Sequence, residues 1–233
     1  MSTSETPVQP QVQADLQAQE LLVPEVATHV TAEIEEKRSR FIAWIGRADS
    51  EEEARDFIAL ARQEYPDARH HCSAFIIAVD DAQPIERSSD DGEPSGTAGK
   101  PMLDVLAGSG LSNVVAVVIR YFGGTKLGTG GLVRAYSDAT NAALDKVPRY
   151  IRSNHAIRHI PVDVAEAGAI EATLRNHDVN VLDTKWEATA IIEVACAPGE
   201  VEDLEQLIAG ISRGKYAGVS AGSRWVERRA GAN

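Results

Sequence analysis

The run VVAVVI at residues 114–119, followed at once by RYFGGTKLGTGGLVRAY, constrains this chain more than any other stretch. Six apolar residues in a row, mostly β-branched, read as a short strand buried on both faces, so any function sits at its ends. Past Arg120 come Gly123, Gly124, Gly128, Gly130 and Gly131 within nine residues, then apolar positions at Leu132, Tyr136, Ala139 and Ala143 with helical spacing. A strand that enters a glycine loop and then a helix turns backbone amides and the positive helix end outward, which suits an anion.

The loop matches no general phosphate fingerprint. In GGTKLGTGG, Lys126 precedes the later glycines, so the order GxxxxGK[ST] fails and GxGxxG is absent, which disfavours Walker-type hydrolysis. The plain alternative is that the glycines supply positive φ and close backbone approach. Arg120, Lys126 and Arg134 flank the loop, and guanidinium and ammonium groups are natural partners of phosphate or carboxylate. Of Tyr121 and Phe122, one should cover the core and the other face outward, where a base could stack. The whole chain of 233 residues carries a formal charge of -12, against coating nucleic acid by bulk charge. Residues 114–158 nevertheless hold seven basic and two acidic side chains, a basic window in an acidic protein.

Upstream lies DDGEPSGTAGKP, residues 90–101. Asp90, Asp91 and Glu93 could hold a divalent cation or act in acid–base chemistry, could be a solvated turn, or could pair with Arg120, Lys126 or Arg134 and close the two glycine-rich loops over each other. Thr97 is placed to cap a helix through Pro101, Leu103, Val105 and Leu106. His70 precedes, and His71 and Cys72 open, an apolar strand at 71–79; with no base or orienting group assignable, a packed thiol and partly exposed imidazoles are the default. No catalytic residue, metal ligand or cofactor is assigned.

Residues 1–21, rich in Gln, Ser, Thr and Pro, read as a disordered tail, and 22–148 as a first domain. Two strand-like segments flank 37–39 as a hairpin, and Ser50 with Glu53 opens a helix that Pro66 stops. From 155 to 228 the order is strand, helix, strand, strand, helix, strand, the ferredoxin-like βαββαβ pattern, after a basic connector at 148–155. The chain is therefore α+β. Cys72 and Cys196 form no disulfide or metal spacing. No positive charge precedes Lys37 and no apolar run approaches membrane-spanning length, so a cytoplasmic protein without membrane contact is expected.

The two long motifs together, with Arg38-Ser39-Arg40-Phe41 and His70-x-Cys72, resemble the YigZ/IMPACT family over about residues 32–146. The resemblance implies a ribosomal-protein-S-five-like βαβ first domain and a second domain like the ferredoxin-like C-terminal domain of translocating elongation factors. It also implies a role in control of translation without an established reaction. By position it marks Arg120, Gly123, Gly124, Lys126, Gly128, Gly130, Gly131 and Arg134 in the glycine loop, and Asp90, Asp91, Gly92, Glu93 and Thr97 in the acidic one; Tyr121 and His70 are added as candidate binding residues. Two function classes follow. One is a non-catalytic regulator that binds the ribosome, RNA or a translation factor through the basic loop. The other is an enzyme or binding protein for a phosphorylated small molecule or nucleotide.

Overall fold

The computed structural model describes residues 20–80 and 82–231, so 1–19 of the expected tail lie outside them. The last two residues assigned to that tail belong instead to strand β1 (Glu20–Pro24), whose Val23 is fully buried and whose Leu22 packs on the first core. The chain divides into two compact units, 21–151 with the C-terminal residues from 228, and 152–227 with residue 20.

In the first unit, β2 (His29–Glu36) and β3 (Ser39–Arg47) form the expected antiparallel hairpin, with Glu36 opposite Ser39. The two residues between them, Lys37 at φ 49° and Arg38 at φ 66°, are both left-handed, as a type I′ turn requires. Ser50 caps α1 (Glu51–Glu64) by accepting from the Glu53 amide at 3.1 Å. The Glu53 carboxylate answers one residue early, accepting from the Asp49 amide at 2.7 Å. There follow β4 (His70–Ile77), β5 (Ile85–Ser89), α2 (Gly99–Gly108), β6 (Val114–Tyr121) and α3 (Thr129–Leu144).

These strands make one sheet in the order β2-β3-β6-β4-β5. Both β3 and β4 are antiparallel to β6, so they run parallel to each other with α1 as the crossover, a βαβ unit that holds β6 between its strands. Alternation along β6 then fills two cores. Val114, Ala116 and Val118 face Met102 and Leu106 of α2 and Leu132, Tyr136 and Ala139 of α3. Val115, Val117 and Ile119 face Ala54 and Ala61 of α1. Every residue of the strand from 114 to 119 is at most 1% exposed, the two-sided burial that its composition requires. The strand's C-terminal end thereby becomes a fixed mount for the glycine loop.

In the second unit, β7 (Arg149–Val162), α4 (Val164–Asn176), β8 (Asn180–Trp186), β9 (Ala190–Cys196), α5 (Val201–Ser212) and β10 (Val219–Arg229) reproduce the βαββαβ order. The sheet has five strands, in the order β1-β7-β9-β8 with β10 also paired to β7, and the path β10-β7-β9-β8 through it is that of the ferredoxin-like fold. Ile160, Val162, Ile192 and Val194 pack against Leu174 of α4 and Ile208 of α5. Where a connector was expected at 148–155, β7 is already in progress. Among the described residues, no helix is long and apolar enough to cross a membrane.

Candidate functional site

The acidic loop is consumed by structure. Asp90 does what Thr97 was expected to do: its Oδ1 accepts from the amides of Ala98 at 3.0 Å and Gly99 at 2.8 Å, and its Oδ2 from that of Gly96 at 2.8 Å, so it caps α2 across a nine-residue loop. Partial burial opposes ionisation of Asp90, but these three donors outweigh it and hold the carboxyl below the usual range. Thr97 is buried and donates to the Pro94 carbonyl at 2.6 Å instead, leaving Ala98 at the cap position. Asp91, at a left-handed φ of 43°, accepts from Arg62 at 2.6 Å and from the His71 amide at 2.6 Å. Burial pushes its pKa up, the Arg62 and His71 bonds pull it down further, and the net effect is a lowered value.

Glu93 joins the two loops. Its carboxylate, 4% exposed, accepts from the Arg120 guanidinium at 2.5 Å and from the Tyr136 hydroxyl of α3 at 2.8 Å. Of the three pairings open to the acidic loop, the one with Arg120 exists. Around it sit Cys72, 3.0 Å from the Asp90 carbonyl and 3.3 Å from the Tyr136 hydroxyl, and His70. His70 Nδ1 lies 2.8 Å from the Asp91 carbonyl, which can only accept, so this nitrogen carries the proton. Its Nε2 lies 4.0 Å from Glu93. Burial pushes the Cys72 thiol up to about 12, and burial likewise raises Tyr136, so neither ionises near neutrality. The thiol is therefore a packed core group. With Asp91 and Glu93 each held by two donors, neither is left free as a base. Among the described residues, no group of three or more His, Cys, Asp or Glu is placed to hold a metal ion.

The glycine loop divides by cause. A Cβ on Gly123 would meet the Arg38 carbonyl carbon at 2.0 Å and the Ser39 amide at 2.4 Å, and the Gly123 amide donates to Ser39 Oγ at 3.1 Å. Gly123 is thus the seat of the Lys37–Arg38 turn. Gly124 and Gly128 have φ of 86° and 74°, and Gly131 lies against Leu127. Gly130 has neither constraint: its surroundings are open and its φ is ordinary. It stands in the first turn of α3, which has no side-chain cap and no acidic residue. Close packing accounts for Gly123 and Gly131 and a positive φ for Gly124 and Gly128, but neither accounts for Gly130.

The basic residues divide as well. Arg120 is buried, with its guanidinium against Phe41 and Phe122 at 5.3 and 5.7 Å from the ring centroids. Lys126 and Arg134 are exposed, and among the described residues neither has a hydrogen-bond or ion-pair partner. Lys37 is likewise exposed and unpartnered there, and the Arg38 guanidinium donates to the Thr125 hydroxyl of the glycine loop at 3.1 Å. Tyr121 turns away, half-buried beside α1, and donates to Asp67 at 2.7 Å, while Phe122 stands outward, 52% exposed. The hairpin turn is a member of this surface that motif reading placed only within a family signature. Two adjacent cations between strands were its signal.

The pattern of the Impact N-terminal domain matches residues 37–144, and that of a domain of unknown function, DUF1949, matches 162–215. The chain is 40% identical over 194 residues to the IMPACT family member YigZ of Escherichia coli, covering 83% of this chain and 94% of that protein. A crystal structure described as that of a hypothetical protein is 39% identical, superposes with a TM-score of 0.57 and covers 86% of this chain and 96% of its own. The two-domain translational regulator Yih1 is 26% identical over 62% of this chain and 55% of its own, at a TM-score of 0.38, a likeness too slight to argue from.

Proposed function

The chain belongs to the IMPACT family, and from that premise we propose that it is a non-catalytic regulator of translation that holds RNA backbone of the translation machinery on its glycine-rich basic loop. One observation carries the reading. The Lys37–Arg38 turn occupies two left-handed positions that Asn-Gly would fill without strain. Long side chains there cost about 1 kcal/mol each. The turn is seated on Gly123, three residues before Lys126 and in the loop that leads to Arg134 on α3, so strain is accepted where two cations are added to a basic loop in a protein of net charge -12. The open first turn of α3 adds amides to the same surface. The carboxylates that an enzyme for a phosphorylated small molecule would need as base or metal ligand are already held by structure.

Four phosphate contacts imply that log K falls with log salt at a slope of about 3, or roughly 50-fold between 50 and 200 mM. Co-sedimentation with ribosomes at stepped salt tests this. A flat response across that range, or no pelleting at the lowest salt, overturns the reading.

A further inference from the structure

Phe122 is 52% exposed at the end of β6, directly before Gly123. A lone exposed ring is common and by itself says nothing. What distinguishes Phe122 is its backing. Arg120, only 6% exposed, presents its guanidinium 5.7 Å from the Phe122 centroid and 5.3 Å from that of fully buried Phe41. Glu93, itself buried, clamps that guanidinium at 2.5 Å. The protein side of the ring is thus a fixed cation, and the Phe41 ring that packs against the same guanidinium already fills the core behind it. Just over half of the residue is left open to water.

We propose that Phe122 is a stacking platform for an unpaired RNA base, with the phosphates of the same strand on Lys37, Arg38, Lys126 and Arg134. This rests on the function proposed above and narrows it from RNA backbone to single strands. Cations alone do not distinguish a single strand from a duplex, but a ring does, because bases inside a duplex are already stacked on each other. The stack requires no particular base, since every base has a π-face. Charge selects a polyanion over an apolar protein anchor: the loop and helix start from Arg120 to Arg134 hold three basic residues and no acidic one, and the nearest acidic residues in sequence are Glu35 and Glu36 before the turn and Asp138, one turn beyond Arg134. Arg134 lies one turn beyond Gly130 on α3, and helical side chains lean toward the helix N-terminus, which carries its charge toward the loop.

The test is titration of the full-length protein against a short labelled single-stranded RNA and the same strand annealed to its complement, at low salt. The wild type should prefer the single strand. Phe122→Ala, with an unchanged melting temperature, should lose about tenfold on the single strand and nothing on the duplex. Phe122→Trp should keep the preference, with its emission quenched by the single strand above the background of the three native tryptophans. Equal single-strand binding by Phe122→Ala and wild type refutes the platform. If Lys126→Glu/Arg134→Glu then loses both RNAs, the backbone reading survives without it. If the wild type binds neither RNA, both readings fall.

Discussion

Two glycines of one loop answer to different pressures, and substitution separates them. Gly123→Ala drives a Cβ into the Arg38 backbone at 2.0 Å, so the turn must move; a loss of roughly 2 kcal/mol or more in chemical denaturation is expected. Gly130→Ala meets nothing within 4 Å at an ordinary helical φ and should raise stability by up to about 1 kcal/mol. Any loss of RNA binding in that variant then marks a glycine kept for ligand access. Asp90 is a further single-residue case. Its carboxyl and that of Asp91 titrate below the unfolded value of about 3.9, so the unfolded chain binds protons first as pH falls. Their stabilisation is complete above that value and disappears as pH drops through the lowered folded values. Asp90→Asn should destabilise by about 1–2 kcal/mol at neutral pH and flatten the acid limb of the stability profile, read as melting temperature against pH. The sequence hid this cap because the donor amides lie six to nine residues downstream of Asp90, whereas cap reading looks to the residue beside the helix.

At the scale of elements, legibility followed burial. The strand at 114–119, the helix after the glycine loop and the helix opened by Ser50 are all recovered where their patterns placed them, because each buries a periodic face. β5 escaped notice because IERSS is almost wholly exposed and has no alternation to read. β1 was lost beside a polar tail, its burial supplied by the first core and not by its own pattern. The site was harder to read. Tyr136 registered as an apolar helix position, yet its hydroxyl completes the Glu93–Arg120 pair that ties α3, β6 and the acidic loop together. Arg120→Leu leaves the Glu93 charge buried with one donor gone, and a loss of roughly 3–5 kcal/mol in denaturant unfolding is expected. The hairpin turn carries the opposite sign: Lys37→Asn/Arg38→Gly relieves two left-handed residues and should stabilise by about 1 kcal/mol or more while weakening RNA binding. A turn that gains stability without losing binding would mean that its cations are incidental.

The molecule as a whole is acidic, and that makes the basic surface informative. With 35 acidic and 23 basic side chains, long-range attraction to RNA is absent, so association has to come from a few close contacts on one face. The first unit supplies that face from a hairpin turn, a loop and a helix start, all mounted on a doubly buried strand, and no carboxylate of the acidic loop remains free to oppose it. The most direct test is ribosome co-sedimentation of the wild type beside Lys126→Glu/Arg134→Glu at low and moderate salt, with melting temperatures matched. Pelleting of the wild type at low salt, its loss at moderate salt and its absence in the variant at both is the expected result. A variant that pellets like the wild type would contradict the account, because binding would then lie elsewhere on the molecule.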